Sequence, residues 1–331
     1  MNYYILTYGC QMNVSDSERL AAQLEKKGHK PVKKIELANL IVINACSVRQ
    51  SAINRVYGKI KILNERKPKP EIILTGCILE KDKKKLKDRV NEIWPVADFQ
   101  TKPKCKSSSE AFLPIMSGCN NFCSYCVVPY TRGRESSRPA REIIKEIKNL
   151  ISSRYKEITL LGQNVNSYKD KTKKINFQKL LKLICALPGD FQIKFLTSHP
   201  KDMSDKLIEI IAQNKKISKE IHLAIQSGDN KILKAMNRKY TAGDCQKLIK
   251  KIRRAIPQAK LSTDIIVGFP GETEKQFQNT VKIVEENNFC QIYAAAYSPR
   301  PNTTAAKLKD DVHFMEKKRR KNIILSLRQN K

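Results

Sequence analysis

Cys119, Cys123 and Cys126 stand at C-x-x-x-C-x-x-C spacing in one short segment, Ser117-Gly118-Cys119-Asn120-Asn121-Phe122-Cys123-Ser124-Tyr125-Cys126. It follows directly on the apolar run from Phe112 to Met116. Three thiolates can hold three irons of a cubane 4Fe-4S cluster and leave the fourth iron open to an exogenous ligand. Such spacing points to chemistry at an open iron rather than to passive electron storage. A structural zinc site is the competing reading, and it wants four ligands in closed tetrahedral coordination. No histidine lies near these cysteines, and the only spare local thiol is Cys105, across a polar stretch. Ligand count and spacing favour the cluster.

Three further cysteines are far apart in sequence but alike in context. Cys10, Cys46 and Cys77 each follow a short apolar run, Tyr3–Thr7, Leu40–Asn44 and Ile72–Thr75. These candidate strands alternate with helical stretches, Asp16–Lys27, Ser51–Arg66 and Glu80–Val90, a pattern that predicts a parallel sheet with helices on its faces. Ligands of such sheets bind outside the carboxyl ends of the strands. Strand pairing would therefore gather the three thiols into a second three-cysteine site. Three small buried cysteines are the plainer alternative, but equivalent post-strand positions argue against chance.

Thr101 to Ser109 is polar and reads as a linker. After it come six more candidate strands: Ala111–Met116, Glu157–Leu161, Gln192–Leu196, Glu220–Ile225, Ser262–Val267 and Cys290–Ala295. Helical stretches follow them, Ala140–Ser153, Phe177–Leu187, Asp205–Asn214, Asp244–Ala255 and Glu274–Asn287. The expected fold class is α/β: a Rossmann- or flavodoxin-like parallel-sheet domain over residues 1–103, a linker over 104–111, and a partial (β/α)6 barrel over 112–331. In barrels of this kind the working residues lie in loops after the strands. Those loops carry Gly162-Gln163-Asn164, Ser198-His199-Pro200, Gln226-Ser227-Gly228, Gly268-Phe269-Pro270-Gly271 and Ser298-Pro299-Arg300-Pro301.

Composition sets the frame. Of 331 residues, 40% are apolar, ample for cores. The opening Tyr3-Tyr4-Ile5-Leu6 is too short for a secretory signal, and no apolar run approaches a membrane span. Ten cysteines without a signal then read as reduced thiols and metal ligands, and the expected location is cytoplasmic. Sixty-four basic against thirty-two acidic residues give a formal charge of +32, which favours a polyanion, with nucleic acid foremost. Lysine abounds throughout, however, and Lys81 to Lys87 reads as a solvated helix face.

The cysteine loop, with Tyr125 before its last cysteine, resembles the radical S-adenosylmethionine (SAM) superfamily. The continuation Val127-Val128-Pro129-Tyr130-Thr131-Arg132-Gly133 and the trio Cys10, Cys46 and Cys77 resemble its methylthiotransferases, from residue 1 to about residue 330. Within that family, Thr7 to Asn13, Gly133 to Pro139, Leu160 to Tyr168, Thr197 to Pro200 and Tyr297 to Pro301 resemble the branch acting on dimethylallyladenosine in tRNA. The resemblance implies that Cys119, Cys123 and Cys126 hold the 4Fe-4S cluster that binds and cleaves SAM to a 5′-deoxyadenosyl radical. It implies that Cys10, Cys46 and Cys77 hold an auxiliary 4Fe-4S cluster that presents sulfur, with a second SAM as methyl donor. The implied substrate is the adenine next to the anticodon (position 37), within the tRNA anticodon stem-loop. Tyr125, Gln226, Ser227, Asp264 and Gly268 lie where the superfamily holds SAM. A monomer is expected; the sulfur source and electron donor are not legible. The same chemistry on threonylcarbamoyladenosine or on a ribosomal protein, or a non-catalytic iron–sulfur RNA-binding protein, are the alternatives.

Other residues receive plainer expectations. His199 is either a substrate contact or a hydrogen-bonded loop histidine, and His222 a satisfied strand residue. Cys185, Cys245 and Cys290 are expected to be small buried apolar groups. The family usually continues into an all-β RNA-binding TRAM domain, and none is expected before Lys331. The stretch Met315 to Leu327 reads as a helix docking Ile323, Ile324 and Leu327, with its lysines and arginines facing outward. Gly76-Cys77-Ile78-Leu79-Glu80 departs from the family's usual residues.

Overall fold

The computed structural model describes residues 1–96, 101, 103–105, 107, 109–172, 174–196 and 198–327. Thr197 of the Thr197 to Pro200 loop and parts of the polar linker lie outside them.

The first sheet contains β1 (Asn2–Thr7), β2 (Lys30–Pro31), β3 (Leu40–Cys46), β4 (Glu71–Cys77) and β5 (Glu92–Ile93), all parallel, in spatial order β2-β1-β3-β4-β5. Its central strand, Leu-Ile-Val-Ile-Asn-Ala-Cys, is buried along its whole length. A strand covered on both faces must be apolar on both. Ile41, Ile43 and Ala45 pack with Ile53, Val56 and Ile60 of α2 (Gln50–Asn64). Leu40 and Val42 pack on the other side with Leu20 and Leu24 of α1 (Gln11–Lys26). Burying each such side chain stabilises the domain by about 1.5–3 kcal/mol. A short helix, α3 (Glu80–Leu86), leads into a 3-10 turn, Lys87–Arg89. The expected single helix to Val90 thus tightens in its last turn.

The second part opens with β6 (Glu110–Pro114). An antiparallel pair, β7 (Met116–Ser117) with β8 (Ser136–Ser137), closes the cysteine loop, which includes the one-turn α4 (Val128–Thr131). Next come α5 (Ala140–Ser152), β9 (Glu157–Leu161), the small hairpin β10 (Lys169–Asp170) and β11 (Ile175–Asn176), and α6 (Phe177–Cys185). The chain continues through β12 (Gln192–Phe195), α7 (Asp205–Gln213), β13 (Glu220–His222), α8 (Asn230–Ala235), α9 (Ala242–Ala255) and β14 (Lys260–Val267). It ends with α10 (Glu274–Glu286), β15 (Gln291–Ala296) and α11 (Phe314–Ser326). Strands β6-β9-β12 and β13-β14-β15 form two parallel triplets. Parallel bridges Ile193↔Ile217 and Ser198↔Leu223 join them, so all six expected strands follow one another around a partial barrel. One continuous apolar core fills it, from Ala111 to Ile324.

Several boundaries differ from the sequence reading, each for a local reason. Helix α9 begins at Ala242 rather than Asp244, because Thr241 caps it and Asp244 bonds back to the Thr241 backbone, a reciprocal capping box. The regular ladder of β13 stops at His222, after which Leu223 and Gln226 pair only through isolated parallel bridges. Cys290 is exposed, contrary to expectation, because it precedes edge strand β15; its thiol donates to the Leu261 carbonyl at 3.1 Å. Cys245 is buried as expected and Cys185 is half-buried. Helix α11 does not turn all its cations outward. Lys317 and Arg320 are 5% and 4% exposed, paired with Asp310 and Glu272, beside the buried Ile324. No helix among the described residues is long and apolar enough to cross a membrane.

Candidate functional site

The first thiol set is built by a tightly braced loop. Gly118 enters it at φ +75°, where a side chain would drive a Cβ to 2.2 Å from the Arg134 carbonyl oxygen. Only glycine tolerates both that conformation and that approach. The Cys119 amide donates to the Gly133 carbonyl, and the Asn121 amide points at Cys119 Sγ, 3.5 Å away. Ser124 fixes the far side: its amide and hydroxyl donate to the Met236 and Ala235 carbonyls at the end of α8. The Asn237 side chain donates to the carbonyls of Asn121 and Phe122. Burial raises the Cys119 and Cys126 thiol pKa values, and the nearby Cys123 thiol raises both further; Cys126 reaches about 12. Such a site accepts three thiolates only together with a compensating cation, and a metal cluster supplies one.

The second set assembles as strand pairing requires. Cys46 and Cys77 end β3 and β4 and are direct register partners, so they lie in the strands rather than just after them. Cys10 is the N-cap residue of α1. A side-chain network pins that helix start to β3. Asn13 Nδ2 donates to Asn44 Oδ1 at 2.9 Å and to the Ala45 carbonyl at 3.1 Å; Asn44 Nδ2 donates to the Asn13 carbonyl and to Ser17 Oγ. Gly9 leaves room for it: a Cβ there would fall 2.6 Å from Asn13 Oδ1 and 2.9 Å from Cys46 Cβ. Burial raises the Cys46 and Cys77 thiol pKa values, and the Cys10 thiol raises both further.

One buried arginine faces each set. Arg238, 8% exposed, directs Nη1 at Cys123 Sγ (3.3 Å), Nη2 at the Ala224 carbonyl (2.6 Å) and Nε at Tyr240 Oη (2.6 Å). Arg132, in the loop after Cys126, donates from Nε to Cys77 Sγ (2.7 Å) and from Nη2 to Asp16 (2.6 Å). It thereby reaches from the barrel's cysteine loop to a thiol of the sheet domain. Sequence reasoning gave neither arginine a role, nor Asn13 and Asn44. Only the positions of Asn13 within Cys10-Gln11-Met12-Asn13 and Asn44 within Asn44-Ala45-Cys46 could have hinted at theirs.

No three His, Cys, Asp or Glu side chains among the described residues converge as ligands of a single ion would. A multi-iron cluster takes each thiolate on a different iron, so its ligands need not meet at one point.

The remaining expected residues are placed as follows. Tyr125 packs against Ile232, Met236, Phe269, Tyr297 and Ala305. Gln226 is buried, its amide bonded to the Asp264 carbonyl. Ser227 spends its hydroxyl on Thr280 Oγ1 and the Asp229 amide. Asp264, 40% exposed at its side chain, meets His222 Nε2 at 3.1 Å, and Ser262 holds the other ring nitrogen. Gly268, at φ +66°, donates its amide to Glu272. His199 is a buried, hydrogen-bonded loop histidine: Nδ1 accepts from the Lys201 amide and the ring meets Tyr240 edge-on. Burial, then Arg238 and Lys201, push its pKa down to about 2.

Residues 113–284 match the radical SAM superfamily, and residues 2–97 match an uncharacterized protein family, UPF0004. The fold is similar to the radical S-adenosylmethionine methyltransferase TsrM from Kitasatospora setae, with a TM-score of 0.63 and 12% identity, over 92% of this chain and 76% of that one. It is also similar to the cobalamin-dependent S-adenosylmethionine radical enzyme OxsB, with a TM-score of 0.60 and 11% identity, over 98% and 56% of the two chains. In sequence the chain is 42% identical to tRNA-2-methylthio-N(6)-dimethylallyladenosine synthase from Clostridium novyi (strain NT), over 94% of this chain and 77% of that protein. It is 43% identical to the protein of that name from Syntrophomonas wolfei, over 97% and 80%. The family match over the barrel thus defines a radical SAM enzyme, whose cofactors are 4Fe-4S clusters and SAM. Within that class the chain belongs to the family of tRNA-2-methylthio-N(6)-dimethylallyladenosine synthases.

Proposed function

We propose that this protein replaces the C2 hydrogen of N(6)-dimethylallyladenosine, next to the anticodon at position 37 of tRNA, with a methylthio group. The observation that carries the reading is that Arg132, from the loop of Cys119, Cys123 and Cys126, reaches Cys77 of the second thiol set, in a chain 42–43% identical to curated relatives of that name. In this reading residues 1–103 supply Cys10, Cys46 and Cys77 to an auxiliary 4Fe-4S cluster, 104–111 connect, and 112–331 supply Cys119, Cys123 and Cys126 to the cluster that takes SAM. When bound, the clusters and two SAM molecules supply the one-electron chemistry at C2, the sulfur and the methyl group.

The protein's own residues bind, orient and exclude water. Arg238 and Arg132 each hold one thiol by a charge-assisted hydrogen bond. Tyr125, Gln226, Asp264 and Gly268 line the place for SAM, and Ser227 shapes that wall through its backbone. His199 stays neutral and offers no cation beside Arg238. The partner is the tRNA anticodon stem-loop, whose unpaired base can be splayed out of its stack. The protein acts as a cytoplasmic monomer. Nucleoside analysis of tRNA from a strain lacking the gene tests this. Expected is loss of the methylthio mark with dimethylallyladenosine retained, and its return on complementation. Loss of the mark from threonylcarbamoyladenosine instead would overturn the substrate assignment.

A further inference from the structure

A crevice of about 570 Å³ lies between the sheet domain and the loop after β15, and none of the chemistry above uses it. Lys81, Lys85 and Arg89 form one wall. Their spacing of four puts them on a single stripe along α3 and its 3-10 extension. Among the described residues none of the three makes an ion pair, whereas Lys83, off that stripe, pairs with Glu80 at 2.6 Å. All three are exposed, as the solvated face read from the sequence requires, and they also line the crevice.

Tyr57 of α2 and Arg300 also line the crevice. Arg300 is 2% exposed; its guanidinium donates to the Gln50 side chain, and Nη2 lies 3.9 Å from Asp82. Its Nε is buried without a hydrogen-bond partner among the described residues. Asp82 is the single carboxylate among the described residues lining the crevice, and it already accepts from Tyr57 Oη at 3.0 Å and Ser47 Oγ at 3.3 Å. Four cations thus face one committed anion. Ser47, which holds Asp82, follows Cys46 directly and donates its amide to the Cys77 carbonyl, so the crevice lies near the second thiol set.

We propose that this crevice binds a backbone phosphodiester of the RNA substrate, anchoring the strand beside the thiols while the target base enters. The proposal rests on the tRNA-modifying reading above. A mobile, strongly hydrated anion suits the exposed Lys81, Lys85 and Arg89, and the buried Arg300 gives the site a fixed floor. Such contacts are sequence-independent and position the strand rather than read it.

The test compares anaerobically reconstituted wild type with a crevice variant, Lys81→Gln/Lys85→Gln/Arg89→Gln. A control, Lys247→Gln/Lys250→Gln/Lys275→Gln, removes the same charge from exposed positions on α9 and α10. Binding of an anticodon stem-loop RNA is read by fluorescence anisotropy between about 50 and about 300 mM KCl. Each lost phosphate contact lowers the log–log salt slope by about 0.7–0.9, so losing this one phosphodiester should cost the crevice variant about that much and the control far less. Equal losses in both variants would mean diffuse charge and overturn the proposal. So would an unchanged RNA slope in a crevice variant that no longer binds inorganic phosphate, which would mark a small-anion site. Wild type that fails to bind the RNA at all would sink the functional reading together with the proposal. Normal binding with an unaltered slope in the crevice variant sinks the proposal alone.

Discussion

Arg132 Nε lies 2.7 Å from Cys77 Sγ, and the same guanidinium holds Asp16 at 2.6 Å, with both side chains of that ion pair only 2% exposed. The arginine belongs to the loop that carries Cys119, Cys123 and Cys126, while both its partners belong to the sheet domain. One side chain therefore ties the loop of the first thiol set to Cys77 of the second. The attachment is reinforced by Arg19 of α1, which pairs with Glu146 of α5 at 2.7 Å, and by the Ser15 hydroxyl, which donates to the Phe112 carbonyl.

Removing one partner of a buried ion pair leaves the other charge uncompensated and costs about 3–5 kcal/mol. Arg132→Met should lower the urea midpoint accordingly and reduce the iron held by Cys10, Cys46 and Cys77. Adding Asp16→Asn should restore much of the stability but not the iron. Unchanged stability and iron in the single variant would show that the link does neither job.

The Asn13–Asn44 network should be as sensitive at its own scale. Asn44→Ala leaves the Asn13 amide short of an acceptor in a fully buried setting, at a cost of about 1–3 kcal/mol. It also frees the start of α1, where Cys10 sits, from β3, where Cys46 sits. Chemical unfolding and iron counting should fall together. A stability loss with full iron retention would separate packing from ligand placement.

His199 makes a pH prediction. Its pKa is pushed down to about 2 in the folded protein, against about 6.5 when unfolded. Below pH 6.5 the unfolded chain takes up a proton that the folded chain refuses, so stability falls as pH drops, by up to about 1.4 kcal/mol per unit. Above 6.5 this contribution is flat. Urea unfolding of the apoprotein at pH 7.5, 6.5 and 5.5 should show that slope, and His199→Gln should remove part of it. An identical slope in both proteins would contradict the neutral buried imidazole.

Much of this architecture was legible because periodicity and cysteine position are local signals. The apolar run at the start of β3 marked it as a strand of a parallel sheet, and Cys46 and Cys77 end up side by side because their strands pair. What escaped was set by tertiary contact. Arg132 and Arg238 look like two among many basic residues until the fold brings each to a thiol. Lys317 and Arg320 seemed solvent-facing because nothing local reveals that Asp310 and Glu272 wait beside α11. Cys290 seemed buried because its neighbours are apolar, whereas edge position decides exposure.

The most direct test of the central claim is metal counting after anaerobic reconstitution. It would compare wild type, Cys119→Ala/Cys123→Ala/Cys126→Ala and Cys10→Ala/Cys46→Ala/Cys77→Ala. Two independent thiol sets predict about eight irons and eight sulfides per wild-type chain, and about four of each in either variant. About four in the wild type, lost entirely in the first variant and fully kept in the second, would contradict it and leave Cys10, Cys46 and Cys77 without a cluster.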